Sequence, residues 1–199
     1  MTDAVVTVPA AIVLAGGRGS RLGGIDKASI EIDGIPLIDH VYAAVRDCAP
    51  IITVGPASTA RAGVQVVREE PPFGGPVAAI AAGLAALDDA DAAETWILAC
   101  DLPLAPLLVE RLGRVPLPPN ADAVIAVDSD GREQWLAGRY RLASLRTALA
   151  RFPDPSGASV RALVAPLSLR TVLDDAGARD LDTWADIEEH RRMRKEHHG

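Results

Sequence analysis

Short apolar runs of strand length recur along the chain, each closed by turn residues and followed by an alanine-rich stretch of helical length. That order constrains the fold more than any other feature, because successive parallel strands need a crossover helix to bring the chain back to the same end of the sheet. The first run, residues 11–15, opens into a glycine-rich loop at 16–27. Ile30, Ile32, Ile35 and Leu37 then lead into a helix opened by Pro36 and running through Val45. Strands follow at 51–54 and 64–67, the first stopped by Gly55-Pro56. A Pro/Gly-rich loop at 69–76 feeds a helix at 77–87, a strand at 95–100 ends at Asp101-Leu102-Pro103, and a helix spans 104–112. The second half is less regular, with a strand at 123–127, an acidic turn at 128–131 and an extended piece at 135–140. A helix at 142–150, an apolar stretch at 160–163, a strand at 169–173 and a polar helix at 184–195 complete the pattern. No internal repeat appears, and the Pro-rich stretch 115–120 is too short for a linker, so residues 1–199 are expected to form a single domain.

A chain of 199 residues with 49% hydrophobic content can bury a core without staples, roughly 70% of its extended surface at this size. Cys48 and Cys100 lack the paired spacing of a zinc or redox motif and read as two buried thiols in a reducing compartment, which suggests the cytoplasm. A net charge of −7 argues against a nucleic-acid partner held by counterion release. No apolar run has the length of a membrane span, and Asp3 precedes the first short run where a secretory leader would be basic. Only two of the 20 basic residues are lysines, Lys27 and Lys195, and Lys27 closes the glycine-rich loop.

That loop, Gly16-Gly17-Arg18-Gly19-Ser20-Arg21-Leu22-Gly23-Gly24, follows a strand directly. It offers backbone N–H groups unobstructed by side chains, with cations at Arg18, Arg21 and Lys27, a combination that suits a polyphosphate. A flexible charged surface loop is the alternative reading. The spacing departs from the ATPase phosphate loop, since Gly19 to Gly24 is followed by Ile25-Asp26, and from the dinucleotide fingerprint, since Gly17-Arg18-Gly19 is followed by Arg21-Leu22.

Taken whole, residues 14–27, LAGGRGSRLGGIDK, resemble the signature of nucleotidyltransferases that move an NMP from an NTP onto a phosphate, most closely the molybdenum cofactor guanylyltransferases. The resemblance continues through residues 32–41, Gly74-Gly75-Pro76, Cys100-Asp101-Leu102-Pro103 and Asp180-Leu181-Asp182-Thr183, and so covers most of the chain. It implies a Rossmann-like, three-layer α/β/α fold with a mixed, mostly parallel sheet of the nucleotide-diphospho-sugar transferase type. It also implies an Mg²⁺-dependent enzyme that transfers GMP from GTP to the phosphate of molybdopterin and releases pyrophosphate.

Asp101 ends an apolar strand, where the ligands of open α/β sheets gather, and its carboxylate suits Mg²⁺ as well as it suits capping the next helix. The resemblance favours the metal. Asp182 reads either as a second metal ligand or as the cap of a helix opening at Trp184. By resemblance, Leu14, Ala15, Gly16, Gly17, Lys27, Glu69, Gly75 and Asp101 contact the nucleotide, and Lys27 and Arg21 neutralise the leaving pyrophosphate. An acceptor phosphate is already anionic, so catalysis reduces to alignment and charge neutralisation. The other reading for Lys27 is a surface salt bridge to Asp26 or Asp33.

Guanine presents N1–H and N2–H₂ as adjacent donors that a carboxylate accepts as a fork. The family places an aspartate for this ahead of its Gly-Pro loop. That position falls here on Glu69, beside Glu70, one methylene longer, and Gly55 stands where the family often has asparagine. The runner-up functions are cytidylyl transfer to the same cofactor, transfer to another phosphorylated small molecule, and nucleotide binding without catalysis. A role in molybdoenzyme maturation also implies transient contact with proteins that deliver or receive the cofactor. His40, His190 and His197-His198 lack metal-ligand spacing. Trp96, Trp135 and Trp184 read as core or cofactor-pocket packing, and the basic run 191–195 as a solvated helix end.

Overall fold

The computed structural model describes residues 8–16, 27–88 and 90–174. The expectations that rest on Gly17, Arg18, Arg21, Asp26, Asp182 and the final polar helix lie outside these residues. Seven strands form one sheet in the order β5-β4-β1-β6-β8-β7-β9. These are β1 (Ala10–Leu14), β4 (Ile51–Val54), β5 (Val64–Val67), β6 (Glu94–Ala99), β7 (Ala123–Val127), β8 (Glu133–Arg141) and β9 (Leu169–Leu173). β2 (Glu31–Ile32) and β3 (Ile35–Pro36) make a separate small hairpin whose turn places Asp33 and Gly34 at positive φ. β8 alone runs against its neighbours, pairing antiparallel with both β6 and β7. The sheet is therefore mixed and mostly parallel, as the sequence implied.

The core forms on both faces because alternate side chains of a strand point opposite ways. In β1, Ala10, Ile12 and Leu14 enter one buried cluster with Val77, Ile80 and Leu84 of α2 (Pro76–Ala85), Leu145 of α4 (Leu142–Leu149) and Leu163 of α5 (Val160–Val164). Ala11 and Val13 enter the opposite cluster with Ile38 and Val41 of α1 (Leu37–Ala44) and Leu108 and Leu112 of α3 (Ala105–Gly113). Each fully buried Ile or Leu contributes about 2 kcal/mol, and a strand covered on both faces reads as a continuous apolar run. Alpha-layer packing on the first face is close: a Cβ added to Gly83 in α2 would lie 2.6 Å from Ile12 Cγ2. On the other, the hydroxyl of Tyr42 donates to the Thr59 carbonyl at 2.8 Å and meets Thr53 Oγ1 at 2.8 Å, tying α1 to β4.

The loops at the carboxyl ends begin as continuations of the ladder. Ala15 N donates to Val54 O at 2.9 Å, Gly55 N to Val67 O at 3.0 Å and Cys100 N to Leu14 O at 3.0 Å. The loops after β1, β4 and β6 thus start locked side by side.

Most helix and strand ends shift by a residue or two from the sequence reading, α2 ending at Ala85 instead of Leu87, and two differences have a visible local cause. β8 begins two residues earlier than expected, at Glu133, because Asp128 closes the preceding turn, its Oδ1 accepting from Asp130 N and Arg132 N. The apolar stretch at 160–163 is a short helix, started by Ser159, whose hydroxyl accepts from Ala162 N at 3.2 Å. No helix among the described residues is long and apolar enough to cross a membrane.

The pairing of β7 and β8 shifts register between Ile125 and Ala126, next to Gly138. A Cβ on Gly138 would lie 2.6 Å from Ile125 Cγ2 and 2.9 Å from Val124 O, and the carbonyl cannot rotate away without breaking the ladder. Gly138→Ala is expected to destabilise the fold by about 1–3 kcal/mol, read as a lowered urea midpoint; an unchanged midpoint would show that the two strands have slack here.

Candidate active site

The carboxyl ends of β1, β4, β5 and β6 lie along one edge of the parallel half-sheet, and most of the residues singled out from sequence meet there. Leu14 and Ala15 are buried, and Gly16 follows at the mouth of the glycine-rich loop. Gly55 packs against this bend so closely that an added Cβ would lie 2.9 Å from Ala15 Cβ and 3.0 Å from Ala15 O. Asparagine, which by resemblance is frequent at this position, would force Ala15 and the bend after β1 to shift. Glycine here is a condition for bringing the two loops together.

Glu69, two residues beyond β5, is 6% exposed, whereas its neighbour Glu70 is exposed. Its Oε1 accepts the backbone N–H of Phe73 at 3.1 Å, which fixes the loop leading into α2. The carboxylate also borders Gly16: a Cβ there would stand 3.6 Å from Oε1 and 3.9 Å from Oε2. The longer side chain thus still reaches the edge of the β1 loop. Gly75 adopts φ 91°, a conformation that glycine accepts without strain, and Pro76 then opens α2 at its first turn. Gly74 is gripped from across the fold, its carbonyl accepting from Gly157 N at 2.7 Å.

On the other side of β1, Asp101 is 6% exposed just past the end of β6. Its Oδ2 accepts the Lys27 ammonium at 2.8 Å, a contact between residues 74 apart in sequence. Lys27 sits in a single helical turn, Lys27–Ser29, at the exit of the glycine-rich loop. The capping role open to Asp101 is not used, because α3 starts after Leu104 with no side-chain cap. A carboxylate this buried is costly unless a cation or hydrogen bonds compensate it, and Lys27 does so. Lys27 thus makes an inward ion pair to Asp101, a partner the sequence reading did not weigh.

The structure therefore brings Leu14, Ala15, Gly16, Lys27, Glu69, Gly75 and Asp101 to one edge of the sheet. Gly17, Arg21 and Asp182 fall outside the described residues. Sequence reasoning missed the Lys27–Asp101 pairing and the tie between Glu69 and Phe73; neither carries a local pattern, although two lysines in a chain of arginines was a pointer to the first. Cys48 is no nucleophile at neutral pH, since burial pushes its thiol up to about 11, with Asp47 adding to the shift. Trp96 is buried and receives the Arg139 guanidinium over its ring at 5.8 Å, a packing role.

The sequence profile of the MobA-like NTP transferase domain matches residues 11–176. A molybdenum cofactor guanylyltransferase from Acidiphilium cryptum is 35% identical over 190 residues, covering 89% of this chain and 91% of that protein. A second, from Serratia proteamaculans, is 33% identical over 178 residues, covering 85% of this chain and 81% of its own length. Among solved structures, the molybdopterin-guanine dinucleotide biosynthesis protein A of Archaeoglobus fulgidus superposes with a TM-score of 0.71 at 17% identity, over 94% of this chain and 99% of that one. The 2-C-methyl-D-erythritol 4-phosphate cytidylyltransferase of Thermus thermophilus superposes with a TM-score of 0.63 at 18% identity, over 95% and 100%. These two likenesses establish the fold.

The two glycines of the β1 edge should respond differently to a methyl group. Gly55→Ala is expected to lower stability by about 1–3 kcal/mol through its clash with Ala15, while Gly16→Ala, with only ordinary contacts in prospect, should leave the melting temperature nearly unchanged. Calorimetry on both variants checks this, and equal losses would contradict the packing described.

Proposed function

The chain belongs to the MobA-like NTP transferase family, and from that premise we propose that this nucleotidyltransferase moves GMP from GTP onto the terminal phosphate of molybdopterin, releasing pyrophosphate. One observation carries the reading from the structural side: a buried aspartate and the loop's only lysine are paired at the carboxyl end of β6, beside the glycine-rich bend after β1. The relatives named as molybdenum cofactor guanylyltransferases supply the substrates. In this reading the chain works as one catalytic unit in the cytoplasm, and two cysteines that form no disulfide agree with a reducing compartment.

The residues fit a magnesium ion. Mg²⁺ asks a protein for one or two carboxylates and takes its remaining ligands from water and substrate phosphates. Asp101, with its carboxylate at the strand end and a lysine able to exchange partners, meets that demand, and Asp182 is a second proposed ligand. When bound, the metal would supply positive charge to the nucleotide phosphates.

The chain's own residues account for the rest. Ala15 and Gly16 carry the chain into the glycine-rich loop, where Gly16 and Gly17 are the proposed phosphate contacts, and Gly75 lets the backbone turn close to the nucleotide. Lys27 and Arg21 face the charge that accumulates on the leaving group. An oxygen of the acceptor phosphate bonds to the α-phosphorus of GTP while the bond from that phosphorus to the bridging oxygen breaks, its electron pair leaving with pyrophosphate. No proton has to be removed from the acceptor, so no general base is needed. Glu69 receives the guanine donors. Its Oε1 already accepts from Phe73 N but keeps a second lone pair, and Oε2 completes the fork.

Pyrophosphate release with GTP and molybdopterin should fall by about 100-fold or more in Lys27→Ala and in Asp101→Asn. Glu69→Gln should raise the KM for GTP by about tenfold and narrow its advantage over CTP. A wild-type preference for CTP, or undiminished turnover in Asp101→Asn, would overturn the assignment.

A further inference from the structure

A cleft of about 540 Å³ lies on the far side of β6 from Glu69, and among the described residues none of those assigned above to the nucleotide lines it. Its described lining comes from Pro76 at the start of α2, Ala99 and Leu102 flanking the Asp101 turn, the first five residues of β8, and Ala158 to Arg161 around the start of α5. The reversed direction of β8 creates it. Leu98 pairs with Ala137, so the residues of β8 that precede Ala137 project past the carboxyl end of β6, alongside Asp101. The volume suits one small molecule, within the roughly 300–1,000 Å³ range of ligand pockets.

The lining has a definite chemistry. Trp135 is half-buried, and its indole N–H donates to Glu133 Oε2 at 2.8 Å. The ring is thereby oriented with its polar edge satisfied, and its apolar surface is divided between the core, against which it packs, and the cleft. Pro76, Leu102, Leu136, Ala137, Ala158 and Val160 add apolar wall. Among the described lining residues Arg161 is the only cation, and it is exposed. The Glu133 carboxylate is engaged by the indole. A flat ring system with one anionic or carbonyl-rich end fits this arrangement, and a nucleoside triphosphate, with its chain of charges, does not.

We propose that this cleft holds the acceptor, with Trp135 as the platform on which its fused ring system lies and Arg161 as the anchor for its polar end. The proposal rests on the guanylyltransferase reading for the acceptor's identity, and on the cleft alone for the two residues. Pro76 and Leu102 are the shared rim: each adjoins a residue given to the nucleotide, Gly75 and Asp101. An acceptor lying in the cleft therefore meets the nucleotide at the Asp101 turn, where its phosphate is needed.

The test uses the full chain and molybdopterin, with two independent readouts. In steady state, Trp135→Ala and Arg161→Ala should each raise the KM for molybdopterin by about tenfold while leaving the KM for GTP within about twofold, and Arg161→Lys should recover part of the loss. Arg161 is exposed, and Trp135→Phe keeps an aromatic ring where Trp135 packs against the core, so these variants separate loss of binding from loss of folding, while a melting temperature for Trp135→Ala shows how much packing it gives up. In the absence of GTP, molybdopterin should quench tryptophan fluorescence in the wild type, and Trp135→Phe should retain binding while losing most of the quench. Turnover with unchanged acceptor KM in both variants overturns the cleft assignment. Quenching that depends on Trp135, without any GMP transfer, supports the cleft and removes the guanylyltransferase reading. Absence of both quenching and transfer overturns the two together.

Discussion

Parallel pairing of β1 between β4 and β6 is the constraint on which the rest of this protein depends. Ala11 sits opposite both Ile51 and Trp96, and Leu14 opposite both Val54 and Ala99, so three strands end level with one another. Because β1 is paired on both edges and buried on both faces, the chain's chemistry is left to the loops that leave the strand ends. The first residues of those loops extend the ladder, which makes the start of each loop as rigid as the sheet. Side chains placed there, Asp101 above all, inherit fixed positions. The two sheet-flanking helical layers then serve mainly to keep those ends in register.

β8 breaks the parallel pattern, and its direction matters as much as its position. A parallel strand in that place would have delivered its final residues to the site; β8 delivers its first ones. The polar segment that precedes its apolar part thus arrives at the working edge already extended. Gly138 makes this possible by letting β7 approach where the register shifts.

Much of the fold was legible because its strands are written as β-branched runs stopped by Gly, Pro or Asp. The strands at 51–54, 64–67, 123–127 and 169–173 have the expected bounds. The start of β8 was not legible, since Glu133 and Gln134 carry no apolar signal and extend only because Asp128 organises the turn before them. α5 was too short for a helical period and is set by its Ser159 cap and by packing. In the site, the glycine-rich bend, Asp101, Lys27 and Glu69 were marked by type and place. What sequence could not show was who faces whom. The contact between Lys27 and Asp101 spans 74 residues and the sheet alone decides it; the need for glycine at position 55 appears only when Ala15 is seen against it.

The Lys27–Asp101 ion pair has a consequence for how the glycine-rich loop is anchored. The loop leaves the sheet at Gly16, where Ala15 N still donates to Val54 O, and returns at Lys27, whose ammonium meets Asp101 just past the end of β6. Both feet of the loop therefore stand on one sheet edge, the first held by a backbone hydrogen bond and the second by charge. Neutralising Asp101 loosens the second foot and leaves the first untouched.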